Sequence, residues 1–401
     1  MRAIELFAGA GGLFLGSAMV GLEHDAAIEW EHNSCEMLRL NARRDYPFLR
    51  STRVLEGDVR DVDWSKYGNV DVLAGGPPCQ PFSLGGLSRA ALDERDMFPA
   101  MTEALAAVSP KAFIVENVKG LLRDSFSDYY SYILLRLQHP CLAARADESW
   151  REHYERLSKE HTSGVHDELR YELVSTLVDA ADYGVPQHRN RVFIVGFRSD
   201  INADWKFPEP THSGAALYSQ QKTGQYWERH GLACRKPVIP KTNGDPRLLP
   251  WRTIRDALKG LPKPKAGKSN DDAHWPMNHV LRAGARSYPG HTGSDIDAPS
   301  KAIKAGVHGV PGGENMIRYR NGRVRYFSVR EAARIQTFPD GYAFSGSWTE
   351  AMRQIGNAVP VSLAATVASS VVVALQKDMA VKEAELASIQ PVPRREVRIH
   401  D

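Results

Sequence analysis

The apolar residues Val70, Val72, Leu73 and Ala74 lead directly into Gly75-Gly76-Pro77-Pro78-Cys79-Gln80-Pro81-Phe82-Ser83. No other segment narrows the possible folds as much. The apolar run has the character of a strand buried on both faces, and three prolines then withhold the N–H groups that a helix or a sheet would need. Proline also restricts the residue before it, so Cys79 is offered at nearly one backbone setting. Loops at strand ends are where α/β sheets place their chemistry, which suits a nucleophile. A free cysteine is also commonly a small buried hydrophobe, and the loop by itself leaves both readings open.

The flanking sequence repeats the alternation of strand and helix expected of a parallel α/β sheet. Ile4 to Phe7 reads as a strand, Ala8-Gly9-Ala10-Gly11-Gly12 as a tight turn, and Leu13 to Val20 as a helix ending at Gly21. Such a turn sets bare main chain and N–H groups against a ligand. Ala26 to Trp30 is a second strand ending on a carboxylate and an indole. An acid in that place holds ribose hydroxyls in nucleotide-binding folds, whereas Trp30 suits either stacking on a base or core packing. Ser34 to Asn41 is a helix, and Val54 to Val59 a third strand in which Asp58 could bond an exocyclic amine. Met97 to Val108 makes a helix stopped by Ser109-Pro110, and Ala112 to Val115 a fifth strand leading to Glu116. Glu116 is thereby expected on the same sheet edge as Cys79, although an acid there also serves as a plain helix cap.

Further along, Gln187-His188-Arg189-Asn190-Arg191 opens a strand that runs to Gly196. Alternation would project Gln187, Arg189 and Arg191 together, a comb suited to an anionic or carbonyl-bearing ligand. Residues 139–168 are strongly charged and read as an exposed helical insertion, with His153 and His161 as surface residues. Ser328 and Glu331 make a capping box, and a helix is expected from Val361 to Gln376, followed by a charged tail that frays.

With 401 residues the chain is expected to divide into two domains. The overall charge of +3 conceals an asymmetry: residues 201–325 carry 21 Lys and Arg against 10 Asp and Glu, together with half of the 24 prolines. A loop-rich, basic segment interleaved with Tyr226, Trp227, Trp251, Trp275 and Tyr288 suits a polyanion. Cys35, Cys79, Cys141 and Cys234 form no C-x-x-C pair, which suggests neither a zinc site nor a disulfide framework and fits a reducing cytoplasm. No long apolar span, signal peptide or membrane anchor is expected.

In order, LFAGAGG (6–12), EW (29–30), GDV (57–59), GGPPCQPFS (75–83), ENV (116–118), DYGVPQHRNR (182–191), SVREAARIQTFP (328–339) and QIGNAVP (354–360) resemble the C5-cytosine DNA methyltransferase family of bacterial restriction-modification systems. The likeness covers the chain except the insertion and the basic segment. It implies a class I S-adenosylmethionine-dependent, Rossmann-like large domain from 1–200 and 326–377, a small target-recognition domain at 201–325, and a tail at 378–401. S-adenosylmethionine would be contacted by Phe7, Ala8, Gly9, Gly11, Gly12, Glu29, Trp30, Asp58, Val59, Pro78, Met97, Asn357 and Val359, leaving S-adenosylhomocysteine as product, and no metal is implied.

The resemblance also implies the chemistry. The Cys79 thiolate adds to C6 of cytosine so that C5 gains enamine character, and Glu116, protonated at the critical moment, bonds N3 and the exocyclic amine. Arg191 holds the O2 carbonyl, and Arg189 supports Glu116 or the phosphate. The target base must leave the duplex. Double-stranded DNA is the expected partner, the enzyme is expected to act as a monomer, and a companion restriction endonuclease is left open. A tRNA cytosine methyltransferase is the nearest rival, but its Cys-Phe-Thr tripeptide is lacking, since Cys234 lies in Leu232-Ala233-Cys234-Arg235-Lys236. A silent DNA-binding relative would have no reason to keep Cys79, Glu116, Arg189 and Arg191 together, and a Rossmann-type oxidoreductase leaves the cysteine loop unexplained.

Overall fold

The computed structural model describes residues 1–44, 46–78, 96–164, 169–267, 275–304 and 313–388. Strands β1 (Arg2–Leu6), β2 (Glu23–Glu29), β3 (Arg53–Glu56), β4 (Val72–Gly75), β5 (Ala112–Val118), β6 (Tyr171–Asp179) and β7 (Asn190–Arg198) form one sheet. Their order is β3-β2-β1-β4-β5-β7-β6. The first five run parallel, while β7 lies antiparallel between β5 and β6. The central strands are apolar on both faces because helices cover both: Ile4, Leu6, Leu73 and Val115 are buried on one side, and Ala3, Val72, Ala74 and Ile114 on the other.

Helices α1 (Gly12–Met19), α2 (His32–Arg43), α3 (Phe98–Val108) and α4 (Ser127–Gln138) follow β1, β2, β4 and β5 in the chain. The mixed α/β architecture matches the expectation from sequence. The third strand is shorter than expected, and Asp58 instead caps a short 3-10 turn at Val59–Asp61. The charged insertion does form a helix, α5 (Trp150–Ser163), opened by a Ser149/Glu152 capping box. His153, expected at the surface, is buried: its Nδ1 lies 2.9 Å from the Tyr132 hydroxyl and its Nε2 3.0 Å from the Leu142 carbonyl. Trp150, His153 and Leu157 make a narrow stripe, and that stripe seats the helix on α4 despite its charge.

Beyond the sheet, β8 (His212–Ser213) pairs with β9 (Leu249–Pro250) around α6 (Gly214–Thr223) and α7 (Gln225–Arg229). Leu217, Tyr226, Trp227 and Ile239 pack there as a small core of their own. After α8 (Ile254–Leu258), strands β10 (Ser294–Asp295), β11 (Met316–Arg318) and β12 (Val324–Tyr326) form a second small sheet. Ile254, Ile296, Ile303 and Ile317 share a core with Phe14 and Leu38 and with Ile335 of α9 (Val329–Ile335). Part of the basic excess is structural, because Arg255 and Arg320 sit 2.6 and 2.9 Å from the buried Asp297 carboxylate. Tyr226 and Trp227 are core residues, Trp251 donates to Asp182 and Trp275 to the His279 carbonyl, which leaves Tyr288, 55% exposed, as the open aromatic among the five.

α10 (Trp348–Asn357) and α11 (Val361–Ser388) return the chain to the sheet. α11 continues past Gln376, the expected end: Asp378 turns inward to accept from Asn202 N–H at 2.9 Å, while Lys377 is exposed. It is also apolar and long enough by composition to cross a membrane, contrary to the expectation of no such span. Leu363, Val367, Val371 and Leu375 are nevertheless buried against the sheet. Its contact with α1 depends on Gly16, where a Cβ would stand 2.5 Å from the Ala364 Cβ.

Candidate active site

The carboxyl ends of β1, β2, β4 and β5 surround a cavity of about 590 Å³. In a parallel sheet this is the edge where crossover connections leave a crevice. Of the expected cofactor contacts, Phe7, Ala8, Gly9, Gly12, Glu29, Trp30, Asp58, Val59, Pro78, Met97, Asn357 and Val359 all line it. Gly11 is not among the lining residues. It takes φ 77° at the N-cap of α1, and a Cβ there would meet Leu38 and Tyr342, so its part is to let the turn close. Tyr342 braces that turn from far along the chain by donating to the Ala10 carbonyl at 3.0 Å.

Glu29 is fixed by two main-chain donors, Gly9 N–H at 2.7 Å and Glu31 N–H at 2.8 Å. Burial raises its carboxyl above the usual range, with these N–H groups opposing the shift. Trp30 beside it is 65% exposed, which rules out core packing for the indole. Asp58 receives the Arg60 guanidinium through Nε at 3.0 Å and NH2 at 2.6 Å, and that fork holds its carboxylate below the usual range. On the rim, Arg353 bridges Glu31 at 3.0 Å and Glu350 at 2.6 Å.

The other end of the cavity holds the reacting groups expected from sequence. Register pairs Val118 with Arg191 and Glu116 with Phe193, so Arg191 and Glu116 are diagonal neighbours on one face of the sheet. Arg191 Nε approaches Glu116 Oε1 to 2.6 Å. Neither atom meets hydrogen-bond angles there, which makes the contact a close charge pair rather than an aligned bond. Gly76, Pro77 and Pro78 complete this wall, and Asn117 Nδ2 donates to the Pro77 carbonyl at 3.1 Å. Cys79 itself lies outside the described residues.

Arg189, expected to support Glu116 or the phosphate, turns its guanidinium to main-chain carbonyls. It is 1% exposed, and its guanidinium donates to the carbonyls of Ile303 at 3.1 Å and Gly356 at 2.6 Å. The support of Glu116 falls to Arg191. The expected comb fails because β7 begins only at Asn190, so the two-residue alternation does not extend back to Gln187 and Arg189.

Glu5, Asn117 and Gln354 are among the wall residues that the sequence reading gave no role. Asn117 and Gln354 lie inside recognised motifs, and Glu5 lies inside the first strand. Among the described residues, Glu5 Oε2 and Gln354 Oε1 are buried and have no hydrogen-bond partner. Buried acceptors are rarely left so, and the two match a ligand rich in donors. An ammonium, ribose hydroxyls and an adenine amine would meet Glu5, Gln354, Glu29 and Asp58, so the donor set fits S-adenosylmethionine. Among the described residues no His, Cys, Asp and Glu group is arranged to hold a metal.

Comparison with known proteins agrees with this geometry. The profile of the C-5 cytosine-specific DNA methylase family matches residues 1–139 and 151–372, skipping part of the insertion. The type II methyltransferase M.NgoMIV of Neisseria gonorrhoeae is 30% identical over 94% of this chain and 98% of its own length. M.Eco47II of Escherichia coli, also a type II methyltransferase, is 31% identical over 93% of this chain and 79% of its own. The S. pombe Dnmt2 methyltransferase structure shares the fold with a TM-score of 0.54 at 16% identity, covering 94% of this chain and 99% of that one. Matched in sequence along nearly its whole length, and in fold with its strand ends around one cavity, the chain belongs to the C-5 cytosine-specific DNA methylase family and is a DNA cytosine-5 methyltransferase, an enzyme class whose methyl donor is S-adenosylmethionine.

Proposed function

We propose that the enzyme methylates C5 of a cytosine rotated out of duplex DNA, through a transient bond between the Cys79 sulfur and C6. The observation that carries this reading is the meeting of Glu116 and Arg191 at 2.6 Å on the wall that Pro77 and Pro78 continue toward Cys79. The donor supplies an electrophilic methyl group on a sulfonium. Thiolate addition at C6 pushes an electron pair to C5, which takes the methyl as the sulfonium leaves as S-adenosylhomocysteine. Loss of the C5 proton to a base then expels the thiolate and restores the C5–C6 double bond. Glu116 faces N3 and the exocyclic amine and shares its proton as negative charge grows on the ring, while Arg191, beside it, holds O2.

Residues 201–325 are assigned to reading the flanking bases, supported by their basic excess, and the remainder to catalysis, with 378–401 as a terminal extension. Cationic contacts to phosphates would offset the unstacking of the target, on the order of a few kcal/mol, and make binding fall with salt. The type II names of the bacterial relatives support action on DNA in the bacterial cytoplasm, beside an endonuclease of matching specificity. The enzyme is assigned to act as a monomer.

The test is covalent trapping. Incubation with S-adenosylmethionine and plasmid DNA substituted with 5-fluorocytosine should leave an adduct that peptide mass spectrometry assigns to residue 79. Fluorine at C5 cannot depart as a proton does, so the adduct persists. Full methylation of ordinary DNA with no adduct, or methylation retained by Cys79→Ser, would overturn the mechanism.

A further inference from the structure

Gln187, Arg189 and Gln336 are polar side chains at 0%, 1% and 0% exposure, and they meet where four segments of the chain come together. Gln187 Nε2 donates to Gln336 Oε1 at 3.0 Å, while its Oε1 accepts from Ile303 N–H at 2.9 Å. Gln336 Nε2 donates to the carbonyls of Ile355 at 2.7 Å and Ala358 at 3.1 Å. Arg189 takes the Ile303 and Gly356 carbonyls already described. Both main-chain polar groups of Ile303 are thus tied to the same cluster that holds the turn 355–358. Main-chain bonds reinforce it: Ser300 N–H donates to Pro186 and His188 N–H to Ser300, at 2.9 and 2.8 Å.

The positions of these segments give the cluster its significance. Gly356, Asn357, Ala358 and Val359 are cofactor-cavity wall. Arg189 stands two residues from Arg191. Ile303 lies between Lys301 and Lys304 in the basic region, and the Lys304 side chain is 67% exposed and paired with Glu314 at 2.7 Å.

We propose that Gln187, Arg189 and Gln336 are positioning residues that couple DNA engagement by the 300–304 segment to occupancy of the cofactor cavity. Each ligand orders a segment that the buried cluster holds in register with the other, so binding of either favours binding of the second. This inference rests on assigning residues 201–325 to DNA. A buried guanidinium is hazardous to remove, so the test uses the neutral partners.

Affinity for S-adenosylhomocysteine, which cannot be turned over, is measured by calorimetry with and without unmethylated plasmid DNA that the enzyme methylates. Wild type should bind it at least about fivefold tighter on DNA, within the usual range of coupling. Gln187→Met should bring that ratio below about twofold while leaving affinity without DNA within about threefold of wild type. A merely structural role would weaken both affinities and preserve the ratio. An unchanged ratio in Gln187→Met, or a ratio of one in wild type, overturns the proposal. Should that variant fail to fold, Gln336→Met carries the same expectation, and hydrogen exchange on wild type supplies an independent readout: DNA alone should slow exchange of the Val361 amide, which bonds the Gln336 carbonyl. Failure of the trapping experiment would sink the reading beneath, whereas intact trapping with unaltered coupling sinks only this inference.

Discussion

Asn117 donates to the carbonyl of Pro77 at 3.1 Å, so the strand that carries Glu116 also grips the backbone two residues before Cys79. Its other amide atom accepts from Val118 N–H at 2.8 Å, so both ends of the side chain are held by main chain. Asn117→Ala should therefore lower kcat by about 10- to 100-fold, the scale of a misplacement near 1 Å. Binding of S-adenosylmethionine should hold within about threefold. Single-turnover methylation together with calorimetry separates the two, and an equal loss in both would point to general collapse of the cavity.

Glu116→Gln keeps the shape of the acid and removes its ability to exchange a proton. Turnover should fall by about 100- to 1000-fold, as when a proton donor or charge stabiliser is lost, and cofactor affinity should be preserved. Arg191→Met leaves the Glu116 charge without its partner at 2.6 Å, so it should cost stability as well as turnover. Thermal unfolding beside a tritium-transfer assay would register that difference.

Two glycines on the cavity wall differ sharply in what they tolerate. A Cβ on Gly12 would stand 2.1 Å from the Val359 carbonyl oxygen, whereas one on Gly57 meets nothing within 4 Å. Gly12→Ala should push α1 from the 357–361 turn, reduce cofactor affinity at least about tenfold and cost about 1–3 kcal/mol or more of stability. Gly57→Ala should be close to silent in both. Calorimetry and thermal shift on the pair provide the check.

His24 lies under the glycine turn, 3.2 Å from the Ser17 hydroxyl, 3.9 Å from Glu5 and against the Phe14 ring. Burial lowers its imidazole from the usual 6.5 to about 3. Across that window the unfolded chain takes up a proton that the folded chain refuses, so stability rises with pH and is lost as pH falls from 6.5 toward 3. The full effect is on the order of 5 kcal/mol. Burial raises the Glu5 carboxyl, whose contribution has the opposite sign and is shared by wild type and variant. In urea titrations, His24→Gln should flatten the decline between pH 6.5 and 4.5; parallel curves would refute the assignment.

Local motifs made most of the cavity legible in sequence, because a glycine turn, a strand-end acid or a proline loop carries its geometry with it. Trp30, Asp58 and Asn357 reached the wall for that reason. Arg189 did not, since alternation predicts a side chain's face only inside a strand and β7 had not yet begun. His153 was hidden by the charges around it, which obscured a stripe of three inward residues. The end of α11 was misplaced because Lys377 and Asp378 looked like the start of a tail, yet Asp378 is a buried acceptor for Asn202 N–H, a partner some 176 residues back in the chain. The unsatisfied acceptors of Glu5 and Gln354 come from segments some 350 residues apart in the chain, and no local pattern announces that they share a wall.

β7 runs against β5, and that reversal delivers its first residues, rather than its last, to the reacting edge. Slipping β7 by a single position would keep the ladder's bonds nearly in number while sending Arg191 to the far side of the sheet and swinging Val192 toward Glu116. One codon gained or lost between Val185 and Asn190 should thus abolish methylation and lower the melting temperature, because it also displaces the buried Gln187 and Arg189 and moves Gly196 from its place against Phe113.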